Sequence, residues 1–244
     1  MTLIDATADR VFSLIDLTDL SENSTPDRIQ RLCQKTMANG HHMAAVCVWP
    51  RFVEQATGLL AGSPVAIATV ANFPSGNDPL ETVLATIQQA LQDGATEIDL
   101  VFPHAAFLGG DIVSARALLQ ACRTATAPRL LKVILETGAF PDQVTLADAC
   151  RLVCECGADF VKTSTGKIPV GATLTAARTL LITLRDHSPH TGIKISGGIR
   201  TFTQALDYLA LADALMGNAW ISPQHFRFGA SQLADDPAFH MRST

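Results

Sequence analysis

A chain of 244 residues with 48% hydrophobic and 17% charged residues can bury a large core, and it holds no low-complexity stretch of the kind that stays disordered. A formal net charge of −5 without any basic stripe argues against a nucleic-acid partner. No apolar run approaches the ~18 residues of a membrane span, and Met1-Thr2-Leu3-Ile4-Asp5 lacks the basic start and apolar centre of a signal peptide, so a cytoplasmic protein with no membrane partner is expected.

Short β-branched or apolar runs alternate with longer amphipathic stretches along almost the whole chain, the pattern of repeated βα units. Strands are expected at 13–17, 44–48, 65–70, 97–102, 130–136, 160–162, 192–196 and 214–216. Helices are expected at 26–39, 50–60, 79–92, 112–124, 142–156, 174–187, 201–211 and 223–233. Thr25-Pro26 supplies an N-cap residue before a first-turn proline, and Asn39-Gly40, Asp93-Gly94 and Cys156-Gly157 place glycines where helices should stop. Eight such units without a linker fit a single-domain (β/α)8 TIM barrel spanning 1–244. A doubly wound open sheet is the alternative, disfavoured because Asp16-Leu17-Thr18-Asp19-Leu20 carries no glycine for a phosphate-binding first turn.

Barrel strands are covered on both faces and should read as apolar runs, yet these contain Asp16, Glu97, Asp99, Lys132, Glu136, Lys162 and Lys194. Alternation along a strand sets Asp99 opposite Ile98 and Leu100, and Lys194 opposite Ile193 and Ile195, which turns the charges into the barrel. Four of the five lysines (Lys132, Lys162, Lys167 and Lys194) lie in a strand or the loop after one. Lys132 reads as an interior ion pair with Asp16, Asp99, Glu97 or Glu136. Lys162 and Lys194 together read as chemistry: neighbouring ammonium groups in a desolvated site favour a neutral amine, which attacks carbonyls, and Asp99 is placed to relay protons.

The seven histidines are dispersed without metal-ligand spacing, and the six cysteines (Cys33, Cys47, Cys122, Cys150, Cys154 and Cys156) form no C-x-x-C pair, so reduced thiols and no metal are expected. Gly166-Lys167, Ser196-Gly197-Gly198-Ile199-Arg200 and Phe228-Gly229-Ala230-Ser231 fall where barrel loops bind phosphate through backbone N–H groups. A phosphorylated small-molecule substrate follows from the three together.

These residues carry a resemblance. Glu97-Ile98-Asp99-Leu100-Val101-Phe102-Pro103, Leu131-Lys132-Val133-Ile134-Leu135-Glu136-Thr137-Gly138, Ala158-Asp159-Phe160-Val161-Lys162-Thr163-Ser164-Thr165-Gly166-Lys167 and Lys194-Ile195-Ser196-Gly197-Gly198-Ile199-Arg200-Thr201 occur in order, and the chain resembles the bacterial 2-deoxyribose-5-phosphate aldolases over nearly its full length. The resemblance implies reversible, cofactor-free cleavage of 2-deoxy-D-ribose 5-phosphate to D-glyceraldehyde 3-phosphate and acetaldehyde. It makes Lys162 the Schiff-base lysine, Lys194 its partner and Asp99 the proton relay. By the same likeness Gly166, Lys167, Gly197, Gly198 and Ser231 hold the phosphate, Thr165, Ile199 and Gln232 also bind substrate, and Asp16, Thr18, Leu20 and Cys47 line or support the site. Another imine-forming aldolase, or a non-catalytic phosphosugar-binding barrel, is the competing reading. Oligomeric state is not legible, and a homodimer is compatible with the family. Two positions depart from the pattern. Some relatives end in a tyrosine that assists proton transfer, whereas this chain ends Met241-Arg242-Ser243-Thr244 and has only Tyr208, which leaves that assistance open. Gln232 replaces a serine common after Ser231, so a backbone contact survives there and a hydroxyl contact does not.

Overall fold

The computed structural model describes residues 3–38 and 40–239. Its strands are β1 (Ile15–Asp19), β2 (Ala45–Val48), β3 (Ala66–Ala71), β4 (Glu97–Val101), β5 (Leu130–Ile134), β6 (Phe160–Lys162), β7 (Gly192–Ser196) and β8 (Phe226–Ala230). All neighbours run parallel, and β8 pairs with β1 to close the barrel, so the expected (β/α)8 architecture is present and the open sheet is not. Around it lie α1 (Leu3–Ser13), which precedes β1, then α2 (Pro26–Gln34), α3 (Val53–Leu59), α4 (Leu80–Gln92), α5 (His104–Leu108), α6 (Ile112–Thr126), α7 (Gln143–Glu155), α8 (Leu174–His187) and α9 (Phe202–Met216). Among the described residues no helix is long and apolar enough to cross a membrane.

Local signals account for the helix ends. Asp142 and Thr173 accept the N–H groups of Thr145 and Ala176 at 2.8 and 3.1 Å, and Thr201 forms a reciprocal capping box with Gln204. Gly94 and Gly157 take positive φ immediately after α4 and α7, as their positions in the sequence require.

Several expected boundaries are corrected. Residues 214–216 are the last turn of α9 rather than a strand, because the Ala- and Leu-rich run from Phe202 meets no breaker before Gly217. The eighth strand lies instead within 223–233, where a helix was expected: Phe226, Phe228 and Ala230 face the outer helices while Arg227 and Gly229 face inward. Phe226 and Phe228 are fully buried and meet edge to face at 5.0 Å. The first strand starts two residues late because Ser13 ends α1, which the sequence reading missed. Likewise α2 stops at Gln34, and Met37–Ala38 pairs antiparallel with His41–His42; Asn39 and the carboxy-terminal residues 240–244 lie outside the described residues.

The alternation divides the molecule into two interiors. Ile15, Leu17, Val46, Val48, Ile98, Leu100, Leu131, Val133, Val161, Ile193 and Ile195 belong to the large apolar layer between sheet and helices. Their neighbours point into the barrel, where a small apolar cluster of Leu20, Cys47, Ala68 and Val70 occupies the side of β2 and β3. The other side of the barrel is ionic.

Candidate active site

Register brings the charged residues to one level. Lys162 on β6 is the Cα partner of Lys194 on β7, Lys194 of Arg227 on β8, and Asp99 on β4 of Lys132 on β5. On β1, Asp16 pairs with Gly229, whose missing side chain makes room: a Cβ there would lie 2.9 Å from Lys194 Cε and 2.9 Å from Ser196 Cβ.

The result is a continuous ionic cluster. Lys162 Nζ and Lys194 Nζ both donate to Asp99 Oδ2, at 2.7 and 2.8 Å. Lys194 also meets Asp16 Oδ2 at 2.6 Å. Lys132 is held by Glu97, by Asp99 Oδ1 at 3.1 Å and by Asp16 Oδ2 at 3.4 Å, so its expected ion-pair reading holds. Arg227 closes the far end, donating to Asp16 Oδ1 at 2.7 Å and to Glu97 Oε1 at 3.4 Å. Glu136, also expected to pair with a lysine, does not: it sits beyond β5 with left-handed backbone and accepts the hydroxyl and N–H of Thr165, bracing the loop after β6.

Burial would raise the carboxyls of Asp16 and Asp99, but the surrounding cations, Lys194, Lys132 and Arg227 about Asp16 and the three lysines about Asp99, hold both below the usual carboxylate range. Burial opposes charge on Lys194 as well, and Asp16 and Asp99 more than offset it, so Lys194 is held as a cation above the ordinary amine value. Lys132 is held likewise by Asp99, Glu97 and Asp16. The Cys47 thiol, 3.9 Å from Asp99 Oδ2, is pushed up first by burial and then by that carboxylate.

A cavity of about 790 Å³ opens over this cluster at the carboxyl ends of the strands. Thr18, Leu20, Lys162, Thr165, Gly166, Lys167, Gly197, Gly198, Ile199, Ser231 and Gln232 all line it. Asp16, Cys47, Asp99 and Lys194 are fully buried beneath its floor, and Lys162 alone of the cluster's lysines reaches the cavity, with 3% of its side chain exposed. Gly197 and Gly198 take φ of +93 and +95°, a backbone that strains any other residue, and a Cβ on Gly197 would lie 2.9 Å from Gly171 Cα. Lys167 crosses the mouth, its Nζ donating to the Leu20 carbonyl at 2.7 Å and lying 5.9 Å from the Trp49 ring.

The sequence reading missed two features. Arg227 was hidden by the misplaced eighth strand, although Phe226-Arg227-Phe228 has the two-residue alternation that reveals it. Arg28 and Arg31 of α2 and Lys35 just past its end also line the cavity and make its wall basic. Arg28 pairs with Asp19 and Lys35 with Asp235.

One accessible amine set among buried carboxylates, below a rim of glycine backbone and cations, suits carbon–carbon bond chemistry on an anionic carbonyl compound, and the protein is a lyase of the aldolase class. Comparison with known proteins agrees. Residues 10–221 match the family described as DeoC/LacD family aldolase, and the chain belongs to that family. A deoxyribose-phosphate aldolase of Agrobacterium fabrum (strain C58 / ATCC 33970) is 46% identical over 226 residues, 92% of this chain and 87% of the relative. The tetrameric deoxyribose phosphate aldolase of Aeropyrum pernix superposes with a TM-score of 0.76 at 25% identity, covering 96% of this chain and 97% of that one. The aldolase QR15 superposes with a TM-score of 0.80 at 27% identity, over 92% and 94% of the two chains.

Proposed function

We propose that the chain reversibly cleaves 2-deoxy-D-ribose 5-phosphate to D-glyceraldehyde 3-phosphate and acetaldehyde through an imine on Lys162. The carrying observation is that Lys162 is the one lysine of the ionic cluster exposed to the cavity, while Lys194 and Lys132 are sealed below it. The neutral amine of Lys162 adds to the C1 aldehyde of the open-chain sugar, and loss of water gives the iminium. Removal of the C3 hydroxyl proton then lets its electron pair form the C3 carbonyl as the C2–C3 bond breaks. The bonding pair passes into the iminium to give an enamine, and glyceraldehyde 3-phosphate leaves. Protonation at C2 and hydrolysis release acetaldehyde and restore the amine.

Lys194, held as a cation, shares the Asp99 oxygen that accepts from Lys162, which sets a fixed positive charge beside the attacking amine. Asp99 has no exposed surface, so it exchanges protons with substrate by way of Lys162 or a water molecule admitted beside it. The phosphate lies against the Gly197-Gly198 backbone, Ser231 and Lys167, an arrangement that suits a dianion because the amide N–H groups and an ammonium need no rearrangement of buried charge. We also read the enzyme as cytoplasmic and acting without nucleic acid; light scattering tests a homodimer.

Borohydride reduction in the presence of 2-deoxyribose 5-phosphate should leave a covalent adduct on Lys162, located by peptide mass spectrometry. An adduct on another residue, or one that persists in Lys162→Met, would remove the assignment.

A further inference from the structure

The charges that line the cavity can be paired off. Arg28 Nε meets Asp19 Oδ2 at 3.0 Å and Lys35 Nζ meets Asp235 Oδ1 at 2.6 Å, so these four cancel, and Lys162 is taken by Asp99. Lys167, Arg31 and Arg200 remain, and among the described residues none of the three side chains is paired with a carboxylate. Arg31 is fixed by its neighbours. It lies three residues after Arg28 and four before Lys35, the C-cap of α2, so the three side chains share one face of the helix. The Arg28 bridge ties that face to the end of β1, and the Lys35 bridge ties it to the segment after β8. Between the two bridges one guanidinium is left over.

Barrels of this architecture commonly hold a phosphate at the N-terminus of a short helix after β8, whose aligned peptide dipoles supply positive potential. Here, among the described residues, β8 leads into Leu233–Asp235 and Pro237–Phe239, turns of three residues each, too short to align a useful dipole. The helix after β7 adds little. Its first N–H groups are taken by its own cap, those of Arg200 and Thr201 by Gln204 Oε1 and that of Gln204 by Thr201 Oγ1.

We propose that Arg31 is a specificity-determining residue: its guanidinium, presented by α2, binds the substrate phosphate from the β1 side and supplies the charge that a helix N-terminus would otherwise provide. The inference rests on the reading of the substrate as a sugar phosphate whose phosphate lies at Gly197-Gly198 and Ser231. In the barrel order β7, β8, β1, the loop after β8 that carries Ser231 stands between Arg200 on the β7 side and Arg31 on the β1 side, so two unpaired guanidiniums flank it. A guanidinium suits the task because it is always charged and offers two parallel N–H groups to one phosphate. Nothing in the fold has to be broken to free it, since Arg28 and Lys35 carry the bridges that hold α2 in place.

The test measures acetaldehyde release from 2-deoxyribose 5-phosphate and from unphosphorylated 2-deoxyribose, together with calorimetric titration by inorganic phosphate, in Arg31→Ala, Arg31→Lys and Arg178→Ala. Arg31→Ala should raise KM for the phosphorylated sugar about tenfold and weaken inorganic phosphate binding by a similar factor, as for loss of a charge-assisted contact, with kcat changed less than about twofold. The unphosphorylated sugar should show no such rise. Arg31→Lys keeps the charge and loses the fork, so its KM rises about threefold. Arg178 is an exposed arginine of α8 outside the cavity, and Arg178→Ala, which removes the same net charge, should leave both constants in place. Alanine is the better helix former and Arg31 holds no bridge, so Tm should not fall in Arg31→Ala. Constants within about twofold of the original in Arg31→Ala, equal losses on the two sugars, or the same loss in Arg178→Ala would overturn the proposal. If the unaltered protein releases no acetaldehyde from 2-deoxyribose 5-phosphate, the reading of the substrate fails, and the phosphate titration of Arg31→Ala still decides the role of Arg31.

Discussion

Replacing Gly229 with alanine isolates the position of Lys194 from its charge. Gly229 lies in β8 outside the left-handed region of φ, so alanine meets no backbone strain, and the lost chain entropy of glycine alone would stabilise the variant by about 0.4–1 kcal/mol. Space decides the matter the other way. The new Cβ would lie 2.9 Å from Lys194 Cε and 2.9 Å from Ser196 Cβ, closer than real Cβ atoms approach, and overpacking of this kind costs about 1–3 kcal/mol. Net destabilisation of up to about 2.6 kcal/mol lowers Tm by several degrees, at roughly 2–4 °C per kcal/mol for a chain this long. Ser196 is fixed in strand pairing and by its hydroxyl bond to the Ser164 carbonyl at 2.6 Å, so the lysine stem gives way. Its ammonium then shifts from the Asp99 oxygen it shares with Lys162, and a displacement below 1 Å at a reacting centre costs about 10–100-fold in rate. Steady-state acetaldehyde release should show kcat reduced by that factor while differential scanning calorimetry shows the small drop in Tm. A Gly229→Ala enzyme with unaltered kcat and the expected Tm would refute the argument that this gap sets the lysine.

Asp99→Asn, which keeps the side-chain shape, should lower kcat about 10²–10⁴-fold, the usual contribution of a positioned acid–base group; turnover within tenfold of the original enzyme would take Asp99 out of the proton path. Lys167→Ala should raise KM for 2-deoxyribose 5-phosphate about 10–100-fold, as expected for loss of a charged hydrogen bond, and leave turnover of unphosphorylated 2-deoxyribose nearly unchanged; equal losses on both sugars would place Lys167 elsewhere. Stability should be flat between about pH 5 and 9 and fall on both sides. Asp16 and Asp99 are depressed in the fold despite burial, so their contribution is full above the unfolded carboxyl value of about 3.9 and is lost as pH falls. Lys132 and Lys194 are raised despite burial, so theirs is full below the unfolded amine value of about 10.4 and is lost as pH rises further. A steep change of Tm between pH 6 and 8 would contradict this account.

Much of the barrel was legible because its strands violate their own apolar rule. Asp99 between Ile98 and Leu100, and Lys194 between Ile193 and Ile195, mark both the strand and the face it turns inward, and both strands fall where the pattern put them. The eighth strand escaped because Ala214-Leu215-Met216 is apolar and short like a strand, while the true strand interrupts its aromatic run with Arg227 and Gly229, a cation and a residue that strands avoid. Both exceptions serve the ionic interior, one as a cation and the other as space. Glu136 was misread for a different reason. Strand alternation cannot be carried past Ile134, and its left-handed backbone aims the carboxylate at Thr165 rather than into the cluster.

Lys162 and Lys194 are neighbours only through register. A slip of β7 by one residue against β6 would turn Lys194 into the layer of Leu180, Leu181 and Leu184 and point Ile193 or Ile195 at Asp99. That arrangement would strand an ammonium in hydrocarbon and leave Asp16 and Asp99 without their shared partner, a loss of about 3–5 kcal/mol for breaking a buried pair on one side alone. Apolar packing and charge pairing therefore select the same register, which is stronger than either alone because each penalises the slip independently. The net stabilisation from the ion pairs can still be small against a hydrophobic replacement, since desolvation offsets most of their attraction. Their consequence is specificity of pairing, and the same pairing that fixes β7 against β6 sets the cation beside the amine.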